Sequence, residues 1–433
     1  MSCILSENVT MQDGSLHFAG MSVDSLADKY STPLYLMDED RIRKNCREYK
    51  AALDEVFGCG SMALYASKAA SFKAIYGIIA EEGLGADVVS PGEIHTAVLA
   101  GFPMEKAYFQ GNNKTDWDIE YAMDCGVGYF VCDNKEEVEA IDLIARKRGI
   151  RQKILLRLTP GIDPHTYAAV ATGKVDSKFG TAIETGQAES ILAYTLGLDG
   201  IELMGFHCHV GSMVFDSDVF IRSAEIMLGF IADMKKKYGY TAKELDLGGG
   251  YGVRYVEAQP KISISENIRL LGDYIKDCCG RLGIELPKIL LEPGRSIVAD
   301  AGMTVYTVGT VKRISSYKNY VSIDGGMTDN PRYALYGSSY TVLPVGESEA
   351  PGFKCDLVGR CCESGDIIQT DITLPRDISR GDRVAVLTTG AYNYSMASNY
   401  NRLPRPAMVM LKNGSDRLVI RRETLDDLAA NDL

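Results

Sequence analysis

The amino-acid sequence predicts a (β/α)8 barrel followed by a second domain that is mostly β. Between residue 62 and about residue 300, eight short apolar runs alternate with longer stretches of helical periodicity. Alternation of this length is typical of a barrel of parallel strands surrounded by helices. After about residue 303 the helical periodicity fades, and short β-rich runs separated by turn residues replace it.

The eight predicted barrel strands are short and apolar, and stretches such as 134–148 and 217–237 between them have the periodicity of helices. The predicted strands are Met62–Ala66, Ala86–Val89, Ala107–Gln110, Gly128–Cys132, Lys153–Leu158, Ile201–His207, Glu244–Leu247 and Lys288–Glu292. An open doubly wound sheet is the alternative fold, but it predicts fewer strands and a dinucleotide fingerprint in the first turn. The sequence has neither feature, so we expect the barrel to occupy residues 36–302.

The second domain is predicted from a set of β-rich runs separated by turn residues. These runs are Thr304–Thr310, Asn319–Ile323, Ile367–Leu374, Arg383–Leu387 and Met408–Leu411. Residues 1–35 also lack the barrel pattern, so we expect them to join residues 303–433 in this domain.

The composition is that of an acidic globular protein with a large core. The 433 residues are 46% hydrophobic and 24% charged, and the net charge is −12. This charge disfavours nucleic acid as a partner, because phosphate binding needs a basic surface. No window approaches the roughly 20 apolar residues of a membrane span, and the N-terminus lacks a signal-peptide pattern. Eleven cysteines without a CxxC spacing fit reduced thiols, so we expect a cytoplasmic protein.

Lys68 follows the first predicted barrel strand, at the end where barrels carry their functional residues. A lysine in this place either marks the exit of the strand into solvent or does chemistry. A desolvated amine loses its proton more easily and can then form a Schiff base with a carbonyl group. Asp87 in the second strand and Arg157 at the end of the fifth belong to the same set of strand-end candidates.

Three glycines, Gly248, Gly249 and Gly250, follow the seventh predicted strand. Consecutive glycines let backbone N–H groups turn toward an anion and let the backbone approach a ligand closely. A phosphate cradle is therefore one interpretation, and a flexible turn is the other. Ser212 and Arg295 are expected to add a hydroxyl group and a cation to the same phosphate.

Two histidines and a glutamate lie at other strand ends. His207 and His209 have i, i+2 spacing, so on a strand both face the same side. A metal site needs a third ligand, and the sequence places no further histidine or acidic cluster nearby, so we predict no metal. Glu292 ends the eighth strand, and a buried carboxylate needs a partner such as a protonated pyridine nitrogen. Lys68, Glu292 and a phosphate cradle together describe a pyridoxal phosphate site.

These motifs resemble the diaminopimelate decarboxylase family, which belongs with alanine racemase and eukaryotic ornithine decarboxylase among the barrel-type pyridoxal phosphate enzymes. The resemblance runs from VDSLADKYSTPLYL near the start to NYNRLPRP near the end. Through YASKAA it implies that Lys68 forms the Schiff base with the cofactor. Through HVGS it implies that His209 lies against the cofactor ring and Ser212 near its phosphate. Through GGGYG it implies that the glycines lie at the cofactor phosphate. Through EPGRS it implies that Glu292 lies at the pyridine nitrogen and that Gly294 and Arg295 also bind the cofactor.

The resemblance also implies substrate and subunit contacts in the second domain. In DGGMTDNPRYALYG it implicates Arg332 and Tyr336 in binding a carboxylate. In CESGD it implies that Cys362 acts as acid or base at the substrate α-carbon and that Glu363 holds the distal ammonium group. Both residues would reach the active site of a partner subunit, which implies an obligate homodimer. In GAYNYSMASNYN it places Tyr392 near the phosphate, and with Arg157 and Arg295 this tyrosine is also expected at the substrate.

The family implies decarboxylation of meso-diaminopimelate to L-lysine and CO2. The alternatives are a decarboxylase of the same fold acting on D-ornithine, D-lysine, arginine or carboxynorspermidine, a racemase, and a non-catalytic regulator. Locally, ESGD also fits an acidic turn, and the neighbouring cysteines also fit buried apolar residues. The sequence departs from the family pattern at three places. Tyr333 stands where the family usually has proline, Ala70 stands where it commonly has asparagine, and Thr388-Thr389 stand where it usually has Asp-Ala. These differences affect the expected shape of the substrate pocket.

Overall fold

A computed structural model describes residues 6–58, 60–162 and 177–433. The chain divides into two compact units. The barrel unit contains Asn45–Gly252 and Ile262–Gly294, and the β unit contains the segment up to Lys44, Val253–Lys261 and Arg295–Leu433. Compactness does not measure independent folding, so the domain boundaries expected at residues 36 and 302 stay a prediction. No helix within the described ranges has the length and apolar character needed to cross a membrane.

The strands of the described residues are, in chain order, β1 (Val9–Gln12), β2 (Ser15–Phe18), β3 (Met21–Ser22), β4 (Leu34–Asp38), β5 (Met62–Ala66), β6 (Gly85–Val88), β7 (Ala107–Phe109), β8 (Tyr129–Cys132), β9 (Gln152–Thr159), β10 (Thr181–Ala182), β11 (Ile201–His207), β12 (Glu244–Asp246), β13 (Lys288–Leu291), β14 (Gly302–Ile314), β15 (Lys318–Ile323), β16 (Val342–Pro344), β17 (Gly352–Val358), β18 (Ile367–Pro375), β19 (Arg383–Leu387), β20 (Ala407–Lys412) and β21 (Ser415–Ile420).

The α-helices of the described residues are α1 (Val23–Tyr30), α2 (Glu39–Phe57), α3 (Lys73–Glu81), α4 (Pro91–Leu99), α5 (Asp116–Asp124), α6 (Lys135–Lys147), α7 (Gln187–Thr195), α8 (Ser217–Tyr238), α9 (Ile264–Leu282), α10 (Arg295–Val298), α11 (Arg332–Tyr336) and α12 (Leu425–Ala429).

The barrel unit contains a closed ring of eight parallel strands. Their order is β9-β11-β12-β13-β5-β6-β7-β8, and β8 pairs with β9 to close the ring. The short strand β10 pairs with β9 alone. All eight predicted barrel strands are confirmed, and no predicted end differs from the observed end by more than one residue. The barrel places the carboxyl ends of all eight strands at one face, where the candidate residues lie.

Capping residues turn the chain from strand to helix at that face. Ser90, two residues after β6, accepts a hydrogen bond from the Glu93 N–H and caps α4, whose first residue is Pro91. Asn134, two residues after β8, caps α6 in the same way through the Glu137 N–H. These short connections hold the strand ends in place, because the helix that follows begins almost at once.

The opposite end of the barrel interior is closed by a polar layer. Tyr108 and Tyr129 stack with ring centroids 4.1 Å apart. Both hydroxyl groups donate to the buried Glu244 carboxylate, over 2.9 and 3.2 Å. Tyr129 and Glu244 are the first residues of their strands, so this layer lies away from the carboxyl ends of the strands.

The β unit is built around a mixed sheet. Its longest strand, β14, pairs antiparallel with β4, β15 and β19, and β4 pairs in parallel with β20. A separate antiparallel sheet contains β1, β2 and β3. The N-terminal segment up to Lys44 belongs to the same compact unit as these strands, while its expected membership in one domain with residues 303–433 stays a prediction. The apolar side chains of β4, β14, β19 and β20 and of the small sheet pack into one core.

Candidate active site

Lys68 lies in a 3₁₀ turn, Ser67–Ala69, directly after β5. Its Nζ donates a hydrogen bond to Asp87 Oδ2 over 3.0 Å, and Asp87 is completely buried. The Lys68 side chain is 40% exposed, so the amine is reachable by a ligand while it contacts a buried acid. The geometry differs from that of a lysine that only marks the exit of a strand into solvent.

The Asp87 carboxyl group is poised to exchange a proton near neutral pH. Burial raises the pKa of Asp87 to about 7, and Lys68, which favours the charged form, offsets only part of that effect. Asp87 Oδ1 is buried and has no hydrogen-bond partner among the residues that the structure describes. One oxygen of this acid therefore contacts the amine, and the other is available to carry a proton.

Glu292 follows β13 and is buried. His207 Nε2 lies 3.4 Å from Glu292 Oε2, and Gln110 Nε2 donates to Glu292 Oε1. Burial alone would raise the pKa of Glu292, but His207 and Lys68 outweigh it and hold the pKa below its usual value. The site therefore contains one ionised, buried carboxylate, which suits a protonated ring nitrogen. Sequence reasoning did not single out Gln110, although it ends the third predicted strand.

The two histidines do not lie on one face of a strand, because β11 ends at His207 and His209 lies beyond it. His209 Nδ1 accepts a hydrogen bond from the Gly249 N–H over 3.3 Å. Burial and the nearby Lys68 lower the pKa of His209 to about 3, so its ring is neutral near pH 7. A neutral, flat ring in this position suits stacking against an aromatic cofactor.

The reason given for excluding a metal was wrong for His207. One ligand atom each of His207, Asp246 and Glu292 lie within 4.8 Å of one another, and all three residues are buried. The sequence did not predict this acidic neighbourhood, because the three residues come from the ends of three different strands. The absence of a metal itself stays a prediction.

The glycine run is used for close backbone packing. A Cβ on Gly249 would lie 1.9 Å from the Glu292 carbonyl oxygen, and one on Gly250 would lie 2.0 Å from the Gly211 carbonyl oxygen. The Gly248 N–H donates to Asp246 Oδ1, and the Gly249 N–H donates to His209, so these two amides are not free donors for an anion. This differs from the expectation that the whole run presents its N–H groups to a phosphate.

A second acid, the half-buried Glu93, holds the turn that carries Lys68. Ser67 is completely buried, and its Oγ donates to Glu93 Oε2 over 2.6 Å. The Val89 N–H donates to the same oxygen over 2.7 Å. Glu93 therefore ties the end of β5 to the loop after β6, the strand that contains Asp87. Sequence reasoning missed Ser67, although it stands inside YASKAA, and Glu93, which follows the second predicted strand by four residues.

Arg157 lies within β9, two residues before its end, and is buried. Its guanidinium group lies 4.4 Å from the centre of the Phe179 ring. Burial lowers the pKa of Arg157, and the charge of Asp133 opposes that effect. Its expected role at the substrate stays a prediction.

Gly294 follows Glu292 closely, and a Cβ there would lie 3.0 Å from the Ala66 Cβ, so a larger side chain would have to displace β5.

In the β unit, two buried arginines lie close to the Tyr392 ring. The guanidinium carbons of Arg295 and Arg332 lie 4.7 and 5.1 Å from the centre of that ring. Arg295 Nη1 also donates to the Tyr255 hydroxyl over 2.8 Å, and Arg332 lies 4.9 Å from the Tyr336 ring. Tyr392 has a φ of 61°, a strained value for a residue other than glycine.

Arg332 forms no salt bridge with any residue that the structure describes, and its Nε has no hydrogen-bond partner there. A buried guanidinium without an acid nearby suits an anionic ligand such as a carboxylate.

Cys362 and Glu363 are both exposed. Glu363 Oε1 accepts a hydrogen bond from the Gly365 N–H over 3.1 Å, as in the acidic-turn alternative. Tyr333 shares a 2.8 Å hydrogen bond with Thr370, and Ser212 is half-buried.

The chain is similar to known decarboxylases over nearly its whole length. The family model of the pyridoxal-binding domain of pyridoxal-dependent decarboxylases matches residues 39–299. Diaminopimelate decarboxylase of Bacillus subtilis is 42% identical over 423 residues, which cover 98% of this chain and 96% of that protein. The chain belongs to the diaminopimelate decarboxylase family. The same enzyme of Mycobacterium tuberculosis is 42% identical over 424 residues, covering 96% of this chain and 94% of that protein.

Solved structures of this family have the same fold. The crystal structure of diaminopimelate decarboxylase from M. jannaschii in complex with L-lysine has a TM-score of 0.91 and 32% identity, covering 99% of this chain and 98% of that one. The Helicobacter pylori enzyme in complex with L-lysine has a TM-score of 0.86 and 32% identity, covering 94% and 98%. The predicted combination of a barrel with a mostly β domain is thereby confirmed.

The residues present fit pyridoxal phosphate, the cofactor that the family model implies. Lys68 offers a reachable amine for the aldehyde group, and Glu292 offers an ionised carboxylate for the ring nitrogen. The unpartnered Oδ1 of Asp87 supplies a buried polar atom beside the amine. The donor types therefore match the cofactor at its aldehyde and at its ring nitrogen.

Proposed function

We propose that this protein removes one carboxyl group from meso-2,6-diaminopimelate and releases L-lysine and CO2, the last step of lysine biosynthesis. The observation that carries the proposal is the reachable amine of Lys68, held 3.0 Å from a buried acid at the end of a barrel strand. The 42% identity to the Bacillus subtilis enzyme supports it, and so do the L-lysine complexes of two structural relatives. The composition and cysteine usage favour the cytoplasm as its compartment.

The barrel unit holds the cofactor in this proposal. Bound pyridoxal phosphate supplies an electron sink for the charge that remains when a carboxyl group leaves the substrate. Glu292 holds the proton on the ring nitrogen, and His209 covers one face of the ring. Asp87 holds and exchanges a proton at Lys68 Nζ. The residues that we assign to the phosphate are Gly250, Ser212, Gly294, Arg295 and Tyr392. Gly248 and Gly249, whose N–H groups are engaged by Asp246 and His209, shape the loop beside the phosphate and do not bind it through those amides.

The substrate is oriented by charged groups in the β unit. Arg332, buried and without a carboxylate partner among the described residues, takes a carboxylate of the substrate, with Tyr336 beside it. Glu363 holds the distal ammonium group, and Cys362 Sγ delivers a proton to the α-carbon. Fixing both ends of the substrate sets the direction of the bond that breaks, and positioning of this kind supplies a large share of a rate enhancement. Arg157 is proposed to contact the substrate as well.

A homodimer with shared active sites completes the proposal. Cys362 and Glu363 are exposed in the described chain, as residues that complete a partner's site would be. Mixing Lys68→Ala subunits with Cys362→Ala subunits tests this arrangement, because a mixed dimer retains one intact site. We expect part of the activity to return in the mixture. If the mixture stays as inactive as its parents, the sites are not shared.

The function is tested by giving purified protein, loaded with pyridoxal phosphate, meso-diaminopimelate and following the release of CO2 and L-lysine. We expect turnover of this substrate and none of D- or L-ornithine, D- or L-lysine or arginine. Lys68→Ala is the control, and it is expected to lose covalent attachment of the cofactor. Covalent attachment that survives in Lys68→Ala would refute the assignment of this residue. Turnover of another amino acid instead would support the alternative decarboxylases and direct attention to Tyr333.

A further inference from the structure

Asp246 is a buried acid next to Glu292 that the proposed function does not use. It is the last residue of β12, it is completely buried, and it lies in register with His207 on β11. Ligand atoms of Asp246, His207 and Glu292 all lie within 4.8 Å of one another. Two carboxyl groups thus share one buried place in the barrel.

The two acids have very different partners. Glu292 is close to His207 and accepts a hydrogen bond from Gln110. Asp246 Oδ1 accepts only the Gly248 N–H, over 2.8 Å, and its Oδ2 is buried without a hydrogen-bond partner in the described part of the chain. Two carboxylates in one buried site do not both ionise, and the negative charge stays where donors surround it. Glu292 is therefore the better place for that charge.

A backbone link makes the position of Glu292 depend on Asp246. Gly248 donates its N–H to Asp246, and its carbonyl oxygen accepts the Glu292 N–H over 2.7 Å. The same glycine leaves no room for a Cβ, which would lie 2.7 Å from the Cys208 carbonyl oxygen. The loop that fixes Glu292 is thus tightly packed and is held by the Asp246 side chain.

We propose that Asp246 is a neutral carboxylic acid whose proton lets Glu292 remain the one ionised carboxylate of the pair, and whose hydrogen bond to Gly248 positions Glu292. Asp246 is a positioning residue in this scheme. The inference rests on the proposed function in one respect, namely that Glu292 serves the ring nitrogen of the cofactor.

The surrounding charges agree with this assignment. Burial raises the pKa of Asp246 well above its usual range, and the charge of Glu292 raises it further. Asp87 acts in the same direction, and the Cys208 thiol is also close enough to interact electrostatically with Asp246. His207, the third member of the cluster, is directed at Glu292.

Infrared difference spectroscopy of the holoenzyme near neutral pH tests the protonation state directly. The difference between wild type and Asp246→Asn is expected to contain the carbonyl band of a protonated carboxylic acid. The matched control is Asp277→Asn, because Asp277 lies on α9 with its side chain 69% exposed. Its difference spectrum is expected to contain only carboxylate bands. If Asp246→Asn also removes only carboxylate bands, Asp246 is ionised and the inference is wrong.

Cofactor affinity tests the positioning role. Asp246→Asn keeps a neutral side chain and an oxygen for the Gly248 N–H, so its affinity for pyridoxal phosphate is expected within about threefold of wild type. Asp246→Ala leaves that N–H unpaired and is expected to lose about tenfold or more. Equal losses in the two variants would overturn the inference. If the alanine variant does not fold, the infrared result decides alone. Neither readout uses diaminopimelate, so failure of the substrate assignment would be recognised separately.

Discussion

Gly249→Ala distinguishes the two interpretations of the glycine run. A Cβ at this position would lie 1.9 Å from the Glu292 carbonyl oxygen and 2.8 Å from the carbonyl carbon. A Cβ in ordinary van der Waals contact lies 3.4 Å or more from another heavy atom, so the Cβ and the Glu292 oxygen must separate by about 1.5 Å. A backbone atom cannot rotate away as a side chain can. We therefore expect a loss of about 3 kcal/mol or more in the free energy of unfolding, at the upper end for overpacking.

Gly229→Ala is the matched control. Gly229 lies inside α8, and a Cβ there meets no heavy atom within 4 Å apart from the backbone of its own helix and its chain neighbours. Alanine is favoured over glycine in a helix interior by roughly 0.5–1 kcal/mol, so this variant is expected to be slightly more stable than wild type. Denaturant-induced unfolding of the cofactor-free proteins measures both changes, and the affinity for pyridoxal phosphate is measured in parallel.

The two interpretations predict opposite results for Gly249→Ala. If the run is required because backbones pass close to one another, the cofactor-free protein itself is destabilised. If the run serves only to present amides to a phosphate, the cofactor-free variant unfolds like wild type and only cofactor affinity falls. The second result would refute the steric reasoning.

Three further predictions concern single contacts of the site. Ser67→Ala removes a 2.6 Å hydrogen bond from the buried Ser67 to the Glu93 carboxylate and is expected to cost about 1.5–3 kcal/mol in unfolding free energy, against little change for Ser348→Ala at an exposed position. The pKa of His209 is lower in the folded protein than in the unfolded chain, so its contribution to the free energy of unfolding is fully present above about pH 6.5. Below that pH the free energy of unfolding decreases by up to about 1.4 kcal/mol per pH unit. His209→Gln should flatten that slope in unfolding experiments, and an unchanged slope would contradict the assignment. Arg332→Lys is expected to raise the KM for diaminopimelate about tenfold or more without changing the absorbance of the bound cofactor, because lysine cannot make a bidentate contact; an unchanged KM would exclude a role in substrate binding.

The barrel was predictable because each of its strands combines a short apolar run with a helix-forming stretch after it. The β unit was predictable only in part. β17 was missed because Lys354 and Asp356 interrupt its apolar pattern, and β21 because its first three residues are polar and none of its residues is buried. β4 is buried along its whole length and pairs with β14 and β20, strands far away in the chain. A buried run does not reveal which sheet it joins, so the expected boundary at residue 36 divided this strand.

The site was predictable where a charged residue stands at a strand end, as Lys68 and Glu292 do. Asp246 also ends a strand, but within LDLGGG it was passed over for the glycines that follow. Which acids share a buried place depends on the order of strands around the barrel. That order brings together His207, Asp246 and Glu292 from distant parts of the chain, and no spacing in the sequence encodes a distance of 4.8 Å between them.

The acids of the barrel face show how such a site remains compatible with folding. If Asp87, Asp246 and Glu292 were all ionised, three buried negative charges would lie near the two positive charges of Lys68 and Arg157. Burial raises the pKa values of Asp87 and Asp246, so protonation removes part of this charge, and Glu292 keeps its own because His207 and Gln110 contact it. In the proposed function, cofactor binding then adds one positive ring nitrogen at Glu292 alone. Since Asp87 titrates near pH 7 at 3.0 Å from the Lys68 amine, it remains free to exchange the proton that the amine must lose before it reacts.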